Sequence, residues 1–261
     1  KIMSLLFKII FLLLICYSNA ESQEPLGQFC NENTNITSGS KLSANIDKIL
    51  AELVSETPST GFISASFGKE QDRVYGLSQC RRDVSKEDCS ICIQDAAKEV
   101  RKRCPNQADA RIWYDYCFLR YSNESFIGKV DTSFGIIYWN LGNVSDPEAF
   151  NRELGSLMDE IKAEAVMAKN KGLGKGKTKL SSFVTLYGLV QCTGDLSDVS
   201  CAQCLAIAEE SNFNKLCSNR KGCRVLYSSC YVRYELYPFF FPLDSSIPEI
   251  NNTEMMAIVY P

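Results

Sequence analysis

Cys80-x8-Cys89-x2-Cys92 returns 112 residues later as Cys192-x8-Cys201-x2-Cys204, with no slip at any of the three positions. Cys104 and Cys117 return as Cys217 and Cys230, shifted by 113. Five cysteines in register at one period mark a tandem duplication. The flanks repeat as well. Tyr75-Gly76-Leu77 reappears as Tyr187-Gly188-Leu189, and Arg111 precedes Cys117 by the same six residues that separate Arg224 from Cys230.

The length of 261 residues fits about two ordinary domains. The apolar share of 45% is normal for a globular protein, so each copy can bury a core. Residues 1–20 read as a secretory leader. Lys1 and Lys8 give it a positive start, Ile9 to Ile15 an uncharged apolar core, and Ser18-Asn19-Ala20 a cleavage site before Glu21. That apolar run is too short for a membrane span. Cleavage would remove Cys16 and leave twelve of the 13 cysteines, an even count that favours six disulfides in a secreted chain. Cys89/Cys92 and Cys201/Cys204 are also CxxC pairs, able in principle to hold zinc or to act as redox couples. The leader and the surrounding cysteines favour structural bridges.

Histidine is absent and the formal net charge is -3. The first fact removes Ser-His and Cys-His nucleophilic sites, mixed zinc sets and histidine pH switches. The second gives no reason to expect nucleic acid as a partner. Gly172-Leu173-Gly174-Lys175-Gly176-Lys177 lacks the spacing of a phosphate loop and the Ser/Thr that should follow its lysine, and no nucleophile elbow is present. The chain therefore reads as a non-enzyme, with no metal and no cofactor. Asn35, Asn123, Asn143 and Asn251 each open an N-x-S/T sequon, a permissive glycosylation acceptor in a secreted chain.

Apolar periodicity predicts a helix over 41–56, stopped by Pro58 and Gly61, and strands over 62–67 and 73–79. Ser85 with Asp88 caps a second helix reaching Arg103. Arg111 to Tyr121 and Phe134 to Trp139 read as strands. Asp146-Pro147-Glu148 opens a long helix with Phe150, Leu154, Leu157, Met158, Ile161 and Ala165 along one stripe. Lys169 to Lys179 reads as a solvated loop, with a docking patch for acidic polymers as the sharper alternative. Then come a strand over 183–191, a helix over 198–213 and a strand over 224–237. Phe239-Phe240-Phe241 and the nearby prolines end the ordered part, and residues 251–261 hold no segment of membrane length.

The doubled C-x8-C-x2-C, the run Ala108-Asp109-Ala110-Arg111-Ile112-Trp113-Tyr114, and Cys230-Tyr231-Val232-Arg233-Tyr234-Glu235 together resemble the plant cysteine-rich repeat proteins. These are built from two ginkbilobin-like, stress-antifungal domains. The resemblance spans about residues 27 to 240 and implies an α+β fold. Each of the two tandem disulfide-stapled domains would be a five-stranded antiparallel sheet packed with two helices, over 27–135 and 146–242. A linker would run over 136–145 and a tail over 243–261. Family pairing implies Cys30–Cys104, Cys80–Cys89, Cys92–Cys117, Cys192–Cys201 and Cys204–Cys230. No cysteine opens the second copy and Cys223 is new, so Cys217 is assigned to Cys223.

Ginkbilobin-type domains bind mannose through an Asn after the first Cys, an Arg before the last Cys and a Glu after it. Amide, guanidinium and carboxylate together meet the donors and acceptors of vicinal sugar hydroxyls. Here the first copy offers Asn31 and Arg111, with Ser122 where the Glu should stand. The second offers Arg224 and Glu235 without a Cys-Asn opening. The plainer reading of Arg111 and Arg224 is strand arginines paired with local carboxylates. The resemblance implies secretion to the apoplast and a defence or stress role, with mannose-type glycans as ligands. The alternative is a protein–protein module whose partners are cell-surface receptors or sister cysteine-rich repeat proteins. A further alternative is the ectodomain of a cysteine-rich receptor-like kinase, cut short before its membrane helix.

Overall fold

The computed structural model describes residues 24–210, 214–243 and 255–260. The expected leader, Cys16 and the Asn251 sequon lie outside them. Two antiparallel sheets form. The first has β1 (Gly27–Cys30), β2 (Phe62–Phe67), β3 (Val74–Cys80), β4 (Ala110–Trp113) and β5 (Cys117–Ser122), in the order β1-β4-β5-β3-β2. The second has β6 (Gly135–Asn140), β7 (Leu173–Lys179), β8 (Thr185–Cys192), β9 (Gly222–Tyr227), β10 (Cys230–Glu235) and β11 (Met255–Tyr260), in the order β11-β6-β9-β10-β8-β7. Helices α1 (Lys41–Thr60) and α2 (Lys86–Arg103) pack on the first sheet, α3 (Pro147–Ala165) and α4 (Asp198–Ala208) on the second.

The helices start where side chains can take up the free N–H groups of a first turn. Ser40, Ser85, Asp146 and Ser197 each accept from the backbone N–H three residues on. Ile46, Ile49, Leu50 and Leu53 bury one face of α1, and the whole apolar stripe expected of α3 is buried. α1 outruns its expected stop. Pro58 is accommodated in the last turn, and the left-handed Gly61 ends the helix.

Four expectations need correction. The aromatic stretch 111–121 is a hairpin, β4 and β5, and so is its counterpart, β9 and β10. Residues 135–140 form β6, the strand expected over Phe134 to Trp139, and pair with β9 as β1 pairs with β4, so the linker drawn over 136–145 begins inside the second sheet. Met255–Tyr260, placed in a tail, adds β11 as a sixth strand beside β6. The expected loop 169–179 holds β7, paired along its whole length with β8. Glycine makes β7 possible, because a Cβ on Gly174 would run into the backbone carbonyl of Ile161 on α3.

All six expected disulfides are formed. The register explains the odd pair. Cys30 lies opposite Ala110 in the first sheet, and Trp139 lies opposite Cys223 in the second. Trp139 thus occupies the place of Cys30, and Cys217 bonds instead to Cys223 on the neighbouring strand.

Strand alternation sends Ile112, Leu119 and Tyr121 into the first helical core, while Trp113 and Phe118 point the other way. There they meet Ile136, Leu226, Tyr138 and Tyr231 of the second sheet. The two sheets therefore stand back to back with the helices outside. Phe239 and Phe241 do not trail off. Arg81 donates to the carbonyl of Phe239 at 3.0 Å, and the Phe241 N–H donates to Asp83 at 2.7 Å, strapping the second domain to the first.

Candidate functional site

The four residues singled out from the resemblance all lie in or beside the layer between the sheets. Arg111 and Arg120 face each other across β4 and β5; their counterparts Arg224 and Arg233 face each other across β9 and β10. All four are buried. Each pair closes on one carboxylate. Asp131 lies 3.0 Å from Arg111 and 2.8 Å from Arg120; Asp115 lies 2.9 Å from Arg224 and 3.1 Å from Arg233. Asp115 belongs to the β4–β5 turn, so the second pair reaches across the domain boundary. The contact is returned, since Arg111 donates to Ser228 in the β9–β10 turn.

Other groups repeat this reciprocity. Gln79 donates to the carbonyl of Cys192 and accepts from Gly194, while Gln191 donates to the carbonyl of Cys80 and accepts from Arg82. The packing has the form of a two-fold symmetric dimer within one chain.

The partners of the candidates fill in the rest. Asn31 donates to Asp109 at 3.1 Å, and Asp109 lies 3.8 Å from Arg111, so the first copy links its two candidates through an acid. Ser122 is buried and accepts from the Glu124 N–H. Glu235 is 0% exposed and takes the Nε–H of Arg233 at 3.0 Å. It fits there because its strand partner is Gly222, whose missing side chain leaves room for the carboxylate. Arg224 and Glu235 are thus neighbours held apart by Arg233. Sequence reasoning missed Arg120, Arg233, Asp115 and Asp131. It also missed Asn140, which follows Trp139 as Asn31 follows Cys30. Each of the two asparagines accepts from the N–H two residues on.

Charge and burial act together here. Desolvation pushes the Asp115 carboxyl up, but the charges of Arg224, Arg233 and Arg81 outweigh it and hold the group below the usual range. Asp131 is likewise lowered, with desolvation outweighed by Arg111, Arg120 and the hydroxyl and N–H of Ser133. In Glu235 desolvation wins over Arg233 and Arg224, and its pKa is raised.

Space decides what can bind. A cavity of about 50 Å³ lies between the domains, lined by Arg81, Asp115, Gln79, Gln191 and Tyr231. It is far below the several hundred Å³ of ordinary ligand pockets. A second, open groove of about 1350 Å³ runs along the second domain between the start of α3 and the β7–β8 turn. Phe150, Leu180, Leu236 and Tyr237 give it an apolar floor, and Phe183 on its rim is 98% exposed. Asn140 reaches this groove, whereas Arg224 and Glu235 do not line it. The sequons at Asn35, Asn123 and Asn143 are exposed.

Comparison with known proteins follows the same division of the chain. Residues 29–124 and 139–237 each match the family model described as salt stress response/antifungal. Cysteine-rich repeat secretory protein 55 of Arabidopsis thaliana is 60% identical over 238 residues, 90% of this chain and 90% of that protein. An antimicrobial ginkbilobin-2-like protein of Castanea crenata is 43% identical over 218 residues, 83% of this chain and 89% of that one. Among solved structures, the tandem DUF26 ectodomain of the Arabidopsis thaliana cysteine-rich receptor-like protein PDLP8 superposes with a TM-score of 0.71 at 28% identity. The match covers 82% of this chain and 98% of that one.

Proposed function

The chain belongs to the salt stress response/antifungal family, with two copies of its domain, and from that membership we propose that it is a secreted recognition protein of plant stress and fungal defence whose ligand is another protein. The observation that carries this reading is the burial of Arg111, Arg224 and Glu235 between the sheets. Mannose-type recognition would need their polar atoms, and those are buried, with one atom of each residue already bonded to Asp131 and Ser228, to Asp115 or to Arg233. Freeing one arginine would leave its carboxylate with a single partner and break an ion pair that is largely buried on the arginine side, a costly step. The open groove beside Phe183 offers what a protein segment uses: apolar floor, exposed aromatic and a polar rim. Six disulfides and the secretory name of the relative at 60% identity support an extracellular place of action. Among the described residues no helix is long and apolar enough to cross a membrane.

The test is a mannose-type glycan array run beside a displayed random-peptide library, with the wild type, Phe183→Ala and Arg224→Ala. Peptides that bind wild type and Arg224→Ala but not Phe183→Ala, with an empty array, support the reading. Mannose binding that disappears in Arg224→Ala would overturn it and restore the sugar site.

A further inference from the structure

We propose that β11 is the edge through which two copies of this chain pair, β11 against β11, antiparallel, into a sheet that runs through both molecules. β11 is the last strand in its sheet, so among the described residues its outer row of N–H and C=O groups faces no other strand. Met255-Met256-Ala257-Ile258-Val259-Tyr260 contains no charge, no proline and no glycine. The opposite edge of the same sheet is built differently. β7 alternates Gly174 and Gly176 with Lys175, Lys177 and Lys179, the kind of charged edge that keeps sheets from joining. Among the described residues one edge of the sheet is guarded and the other is bare.

The side chains of β11 agree with a missing neighbour. Met256 is 51% exposed, Ile258 40% and Val259 55%. Met256 and Ile258 lie opposite Trp139 and Ile137, on the side of the second domain's core. Val259 lies opposite Ile136, on the side of the layer between the sheets. Both faces of β11 therefore prolong apolar layers already formed, and one more strand would extend each.

A second copy fits this edge by symmetry and charge. An antiparallel pair of identical strands is closed by a two-fold axis and makes every contact twice. A neutral strand raises no like-charge repulsion against itself. With residues 256–260 overlapped, Ile258 faces Ile258 of the partner subunit, so position 258 of each copy flanks the axis. The inference is independent of which ligand the groove or the domain interface takes.

Sedimentation of the full secreted chain across a micromolar concentration series tests it. The wild type is expected to show a concentration-dependent dimer. Ile258→Lys and Ile258→Glu, changes at an exposed position, are each expected to be monomeric with unaltered circular dichroism. An equimolar mixture of the two is expected to recover the dimer, because opposite charges then flank the axis. A wild type that stays monomeric throughout, a dimer that survives both substitutions, or a mixture that stays monomeric would each overturn the proposal.

Discussion

Gln79 and Gln191 each donate a side-chain amide to the carbonyl of the cysteine that follows the other, at 2.9 and 3.0 Å. Both glutamines are buried, and each also accepts one N–H from the opposite domain. Their positions in the two copies correspond, so one bonding scheme serves twice across the boundary. Gln79→Ala and Gln191→Ala should each destabilise the chain by about 1–3 kcal/mol, since each removes a buried bond to a carbonyl and a half-buried one from an N–H. Near-equal losses in chemical denaturation would confirm the reciprocity. A large loss at one site and none at the other would show that the two domains are not equivalently docked.

The carboxylates of Asp115 and Asp131 set how the interface responds to acid. Both pKa values are lowered, so their stabilisation is present above about pH 4, the ordinary aspartate value, and fades only as the pH falls through the lower folded values. Asp115 and Asp131 therefore add no slope between about pH 5 and 8, and no histidine adds one there. Asp115→Asn should be destabilised at pH 6, and the gap to wild type should narrow at pH 3. Denaturation curves at both values measure this, and a gap that widens in acid would contradict it.

Glu235 should behave in the opposite sense. Its raised pKa means that its favourable contribution is complete below the ordinary glutamate value of about 4.3 and is lost as the pH rises through the folded value. The stability of Glu235→Gln relative to wild type should therefore shift in favour of glutamine between pH 4 and 8. Melting temperatures of the two proteins across that range give the sign directly.

The disulfides should differ in weight according to the loop each closes. Cys30 and Cys104 are 74 residues apart, whereas Cys217 and Cys223 are 6 apart. Loop entropy assigns about 4 kcal/mol to the first and about 2 kcal/mol to the second. Replacing each pair by serine and comparing unfolding free energies checks the ratio. Equal losses would point to native-state packing around the sulfurs rather than chain entropy.

The sequence made the local and periodic features legible. The cysteine register revealed two copies, Ser85 and Asp146 marked helix starts, and Ile46 to Leu53 and Phe150 to Ala165 marked buried faces. What it concealed depends on distant partners. β6 read as a strand but not as part of the second sheet, because its pairing strand, β9, begins at Gly222, 87 residues after Gly135. β7 looked like a loop because alternating glycine and lysine lack the apolar side chains that usually betray a strand. Only the approach of Ile161 shows why glycine is needed there. Arg111 and Arg224 were visible as arginines, yet their role lay in Asp131 and Asp115, and Asp115 sits in the other copy's hairpin. Asn140 was hidden because Trp139 had replaced the cysteine that would have flagged it.

The reciprocal seam has a consequence for the chain's covalent continuity. Asn123, Glu124 and Ser125, all exposed, are followed by the segment that carries Asp131 and leads into β6. A nick there would sever the polypeptide while leaving the hydrogen bonds, ion pairs and aromatic contacts of the seam intact. The two fragments, each stapled by its own three disulfides, would remain joined as a noncovalent heterodimer. The present molecule is thus built as a dimer whose subunits are tethered end to end.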